Sequence, residues 1–167
     1  MAHVSKRRAA DTADTMADLV GRVDRWIAIE ELLFTTLGRW AVAVPEPAAK
    51  RSLATWCHRH AWHASLWRER RPTHDGAGRP DIAEGDDDWL APLRRTLSAD
   101  GVAERAPTPD KLAVLIDVML SALDDAVVDH AGAIDERLDG PTARVLALVA
   151  TDLAAERREL AGLLAGR

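Results

Sequence analysis

Four stretches of the chain repeat apolar residues at steps of three and four, and none alternates apolar with polar residues long enough to build a sheet. That pattern obliges the chain to bury helix against helix, and it predicts an all-α fold. Helix 1 is expected over roughly 14–43, entered at Thr15 with Asp18 three residues on. Val44-Pro45-Glu46-Pro47 stops it, because a proline cannot continue a helix and restricts the residue before it. Helix 2 then runs to about Arg70, where Arg71-Pro72-Thr73-His74-Asp75-Gly76 ends it. Helix 3 opens at Thr108-Pro109-Asp110, with Thr108 as its cap, and continues to about Leu138. Helix 4 follows the break at Asp139-Gly140-Pro141 and reaches Ala165.

The order of these pieces restricts the topology. Two helices joined by a short turn, one long connection, and two more helices joined by a short turn place the crossover between helices 2 and 3. A connection of that length spans the roughly 37 Å of a 25-residue helix, so helix 3 can begin at the end of the bundle opposite to where helix 2 finishes. A short helix around 88–97 is expected inside it, with Trp89, Leu90, Leu93 and Leu97 docking the connection onto the bundle. The acidic run Asp81, Glu84, Asp86, Asp87 and Asp88 is expected to be solvated. With 167 residues the chain is long enough for one core only, expected as a single domain over 14–167 behind a disordered segment at 1–13.

Composition removes several classes of function. A net charge of −5 gives no electrostatic reason to attract a phosphate backbone, so no nucleic-acid partner is expected. The single Cys57 excludes an intrachain disulfide and any multi-thiolate metal site. No uncharged span of membrane length and no signal-peptide core occur, so no membrane contact and a cytoplasmic location are expected. The absence of tyrosine removes any mechanism that needs a phenol acid, base or radical.

The functional signal lies in the buried stripes. Helix 1 places Leu19, Val23, Trp26, Glu30, Leu33, Leu37 and Trp40 on one face, and helix 2 places Leu53, Trp56, His60, His63 and Trp67. Helix 3 contributes Leu112, Leu115, Met119, Leu123, Ala126, His130 and Ile134, and helix 4 Leu146, Val149, Leu153, Glu156, Leu160 and Leu163. Glu30, His60, His63, His130 and Glu156 therefore all point to the common core, while Glu31 lies off the stripe and His58 points to solvent. A lone buried carboxylate costs several kcal/mol, so these groups must satisfy one another or hold a cation. Nitrogen and oxygen donors without thiolate suit iron, manganese or zinc. Asp152 and Glu159 stand at the edges of the stripe, and Arg157 or Arg158 is the expected partner of Glu156 if no metal binds.

The strings Leu37-Gly38-Arg39-Trp40, Pro45-Glu46-Pro47, His60-Ala61-Trp62-His63-Ala64-Ser65-Leu66-Trp67-Arg68-Glu69-Arg70 and Asp139-Gly140-Pro141-Thr142 resemble a group of actinobacterial ferritin-like proteins. The resemblance covers most of the chain and implies a ferritin-like four-helix bundle. In ferritin-like di-iron proteins two helices each give a Glu and two give Glu-x-x-His. Glu30 matches the first Glu, but helix 2 offers His60-x-x-His63, helix 3 offers His130, and helix 4 offers Glu156-x-x-Glu159 with no histidine. So few carboxylates point to one metal or none rather than a bridged pair.

Two functions follow as expectations. One is a metal-dependent oxidase or oxygenase, with Glu30, His60, His63, His130 and Glu156 holding iron or manganese. The other is a metal-free bundle whose degenerate site has become a hydrogen-bonded core and which serves as a binding or scaffold protein. Trp62 faces away from the inner stripe, and its burial by the crossover segment or by a second subunit in a homodimer is expected. Cys57 is expected to be a buried bystander. No residue identifies a substrate.

Overall fold

The computed structural model describes residues 16–72, 90–97, 105–135, 137 and 139–166. Every regular element among them is a helix: α1 (Met16–Ala43), α2 (Pro47–Arg70), α3 (Leu90–Leu97), α4 (108–133) and α5 (Gly140–Ala165). None of these helices is long and apolar enough to cross a membrane. The expected N-terminal segment and helix start at 1–15, the acidic run, and Trp89 lie outside the described residues.

Side-chain pairs along the helices give their directions. Arg71 of the α2 C-cap holds Asp24 through two hydrogen bonds of 2.7 and 3.2 Å, and Lys50 Nζ reaches the carbonyl of Val42, so α1 and α2 run antiparallel. Arg70 bonds Asp139 at the start of α5, while Trp56 bonds Glu159 near its end, so α2 and α5 are antiparallel too. At the first residue of α4 the Thr108 hydroxyl donates to Glu46 Oε2 over 2.6 Å, and farther along α4 His130 meets Trp26. Helix α4 thus begins beside the start of α2 and runs with it.

The breaks follow the punctuation in the sequence. Glu46 is extended and Pro47 opens α2, where its missing N–H costs nothing. Asp139 caps α5 by accepting the Thr142 N–H. At α4 the expectation needs correction, because the N-cap is Pro107 and Thr108 spends its hydroxyl on Glu46 instead. Helix α4 also ends earlier than the apolar spacing predicts. After Ala133, Ile134 turns to extended backbone, and the Asp135 carboxylate takes the N–H of Arg137, the local bond with which aspartate competes against helix. Residues Leu115–Leu120 form a π turn within α4, which apolar spacing does not register.

The apolar stripes meet in one core in which Trp40, Trp56, Trp67, Leu33, Leu37, Leu53, Leu112, Met119 and Leu123 are almost fully buried. Leu93 and Leu97 of α3 join it, and the Leu97 carbonyl accepts from Arg39 over 2.7 Å, tying α3 to α1. Helix α1 is buried over a wider arc than its stripe, since Ile27, Ala28 and Ile29 are also inside. Trp62 is 46% exposed, so the described residues leave much of it uncovered. Cys57 is half-buried and not buried as expected; it donates its S–H to the Phe34 carbonyl, and partial burial pushes its thiol pKa up.

Candidate metal centre

Five of the nine buried polar side chains among the described residues are those the stripes single out: Glu30, His60, His63, His130 and Glu156. The structure brings four of them together and sets the fifth apart. Glu30 of α1 stands between the two histidines of α2. Its Oε2 lies 2.5 Å from His60 Nδ1, and its Oε1 lies 3.5 Å from His63 Nδ1. The i, i+3 spacing stacks the two imidazoles on one helix face, edge to face with centroids 5.8 Å apart. Glu30, His60 and His63 each offer one ligand atom to a group whose atoms all lie within 4.8 Å of one another, and all three residues are buried.

Both imidazoles turn their other nitrogen to a carboxylate of α5. His60 Nε2 is 3.3 Å from Glu156 Oε2, and His63 Nε2 is 2.9 Å from Asp152 Oδ2. Arg59 then closes the cluster, with its guanidinium 3.2 Å from Glu156 Oε1 and 3.7 Å from Asp152 Oδ1. Glu156 therefore pairs with Arg59 and not with the expected Arg157 or Arg158. Arg157 instead reaches Asp124 of α4, and Arg158 bonds the Ala154 carbonyl of its own helix. Glu159 accepts the indole N–H of Trp56 over 2.8 Å, one turn beyond the cluster.

His130 packs against Trp26 and Trp67 instead. Its Nδ1 accepts the Trp26 indole N–H over 2.8 Å, and its ring stacks on Trp26 and Trp67 with centroids 6.3 and 5.9 Å away. The two indoles stack on each other at 5.2 Å. His130 is thus outside the Glu30, His60 and His63 group. Glu31 pairs with Arg68 near the surface, and His58 is exposed, as the spacing implies.

Burial and charge pull the titrations in opposite directions. Burial lowers the affinity of His60 for its proton, but the Glu30 and Glu156 carboxylates on its two nitrogens overcome this and push its pKa up to about 10. His63 is raised as well: burial opposes the charge, and the nearby Glu30 and Asp152 carboxylates outweigh it. Burial alone would raise Glu30, yet the adjacent histidines hold its carboxyl below the usual range. Without a metal, His60 is an imidazolium lodged between two carboxylates.

Two atoms of the cluster remain unsatisfied. Glu30 Oε1 and His63 Nδ1 are buried and neither has a hydrogen-bond partner. Two ligand atoms each about 2.1 Å from one ion stand about 3.4 Å apart in tetrahedral and about 3.0 Å apart in octahedral coordination, so the observed 3.5 Å separation is that of a four-coordinate ion and has to close by about 0.5 Å for a six-coordinate one. The cluster also carries a ready outer layer, because metal-binding histidines ordinarily donate their second N–H to a carboxylate, as His60 and His63 do here. Sequence spacing left Asp152 at the edge and did not register Arg59, whose neighbour His60 was the only hint to its position. No protein family, curated protein or solved structure matches the chain.

Proposed function

We propose that the chain is a ferritin-like four-helix bundle with its long crossover between α2 and α4, and that Glu30, His60 and His63 hold one iron or manganese ion for oxidase or oxygenase chemistry. The observation that carries this reading is the pair Glu30 Oε1 and His63 Nδ1, buried and facing each other at 3.5 Å without a hydrogen bond, an arrangement that a cation taken by both would satisfy. Two imidazoles and one carboxylate form the donor set of non-haem iron(II) oxygenases, which leaves coordination positions for dioxygen or water. When bound, such an ion supplies redox chemistry. The chain's own residues orient it: Glu156 and Asp152 fix the two rings, and Arg59 balances the outer carboxylates. The start of α4 beside Glu46 supports the crossover topology.

A metal-free binding or scaffold protein is the second reading, and the direct 2.5 Å contact between His60 and Glu30 favours it, because an imidazolium there already answers the carboxylate's charge. Elemental analysis separates the two. Protein produced in medium supplemented with iron and manganese and purified without chelator is expected to carry stoichiometric metal, and Glu30→Gln is expected to carry none while keeping its helicity. Wild-type protein that remains metal-free under iron(II) or manganese(II) titration overturns the metal reading.

A further inference from the structure

The indoles of Trp26 and Trp67 are stacked, with centroids 5.2 Å and planes 13° apart. Each stands one helical turn from the Glu30 group, Trp26 four residues before Glu30 on α1 and Trp67 four residues after His63 on α2. Their N–H groups differ. Trp67 Nε1 is buried with no hydrogen-bond partner among the described residues, whereas Trp26 Nε1 donates to His130 Nδ1 over 2.8 Å. An indole N–H can only donate, so Nδ1 is the unprotonated nitrogen of the His130 ring and can act as a base.

An indole that loses an electron becomes a far stronger N–H acid. In the stack the resulting positive charge is shared by two overlapping rings, but burial penalises it until a proton leaves. Trp67 has no acceptor for its proton, so the charge is cancelled at Trp26, by transfer of the indole proton to His130. The products are a neutral indolyl radical and an imidazolium, at the two members of the stack that keep slight exposure. The other described indoles each lack part of this arrangement. Lys111 Nζ lies 5.6 Å from the Trp40 ring centroid, and its charge opposes a second positive charge there. Trp56 donates to Glu159, and a carboxylate is a weaker base than an imidazole. Trp62 is tilted against His63 and half exposed.

We propose that Trp26 is a redox-active residue, giving up one electron through Trp67 to an oxidant at the Glu30 cluster and its indole proton to His130. The cluster end of this route rests on the metal reading above, and the reaction between Trp26 and His130 does not. With iron(II) in the cluster and a peroxide as oxidant, the iron supplies one electron and the indole the second. Hydrogen peroxide then takes up two protons from solvent and leaves as two waters, while the indole proton stays on His130.

Photochemical oxidation of the metal-free full chain tests the reaction at Trp26, in a background of Trp62→Phe and Trp89→Phe that removes competing indoles. Flash-generated tris(bipyridine)ruthenium(III) is expected to yield the neutral indolyl radical, told from the radical cation by transient absorption. Trp26→Phe is expected to lose most of that radical and Trp56→Phe to keep it. His130→Gln, which retains a hydrogen-bond acceptor but no base, is expected to stop at the radical cation. An undiminished yield in Trp26→Phe, or neutral radical formed at the background rate in His130→Gln, overturns the proposal. So does a background chain that yields only the radical cation, a result that needs neither core variant to fold. Peroxide added to the iron(II)-loaded background chain is expected to give the same radical by electron paramagnetic resonance, and Trp67→Phe to abolish it there while leaving the photochemical yield. An equal radical in Trp67→Phe overturns the route through Trp67. A chain that takes up no iron fails the metal reading and the route from the cluster with it, while the photochemical result still decides whether Trp26 and His130 react as a pair.

Discussion

Trp26 of α1 and His130 of α4, 104 residues apart in sequence, share a 2.8 Å hydrogen bond from indole N–H to imidazole Nδ1. That bond explains how a histidine can sit on the apolar stripe of α4 without belonging to the carboxylate cluster. Removing it leaves a buried indole N–H unpaired and opens space beside two stacked indoles. His130→Ala is therefore expected to lower stability by about 2–4 kcal/mol. The check is urea unfolding alongside metal analysis. A variant of unchanged stability that loses metal would put His130 in the coordination sphere.

Arg59 carries a different kind of load. It is the cation against Asp152 and Glu156, and its removal leaves two carboxylates partly or fully out of water with only the histidines to answer them. Because Arg59 and Asp152 remain about one-fifth exposed, the cost falls below that of a fully buried pair, and Arg59→Ala is expected to lose about 2 kcal/mol. Arg59→Lys should recover only part of this, since one ammonium replaces a fork that spans two carboxylates. Thermal or urea midpoints for the two variants decide it, and full rescue by lysine would mean that the geometry of the guanidinium is unimportant.

How much of this was legible in the sequence depends on the kind of interaction. The faces of the helices were, because a period of 3.6 is written directly into the apolar residues: His60, His63, Glu30 and Glu156 are all buried where the stripes put them, and His58 is exposed. Which stripe residues meet was not, because that depends on how far along its axis each helix is shifted. His130 shares a stripe with Met119 and Leu123 yet packs against Trp26 and Trp67 and not with the Glu30 group. Arg59 was hidden for a related reason, as long side chains next to a buried position can fold back onto it. The π turn and the early end of α4 escaped because local bonds such as that of Asp135 are invisible to apolar spacing.

The protonation of His60 makes the metal-free protein sensitive to alkali. Its folded-state pKa of about 10 exceeds the unfolded value of about 6.5, so the folded chain binds the extra proton, and the stabilisation is complete below pH 6.5 and lost as pH rises through 10. Glu30 has the opposite sign: its depressed pKa contributes stability above the ordinary carboxylate range that is lost as pH falls through the folded value. Stability of the metal-free protein should fall by about 2 kcal/mol between pH 7 and pH 9. In His60→Gln this decline should be smaller, what is left of it belonging to His63, whose pKa is raised in the same direction. An equal decline in both proteins would assign it to other groups.

Metal and proton should compete for the same nitrogen. At pH 7 the His60 proton lies between Glu30 and Glu156, whereas ligation requires the neutral ring, so an ion entering the cluster must expel that proton. Manganese(II) titrated calorimetrically in buffers of different ionisation heat is expected to release at least one proton per ion bound, that of His60, with affinity rising at least about tenfold per pH unit below the His60 pKa. His60→Ala and His63→Ala should show no saturable binding while retaining their helicity, and His58→Ala should behave as wild type. Retention of binding in both core variants, or binding without proton release, would place the ion elsewhere on the protein and leave the Glu30 cluster as a purely structural network of charges.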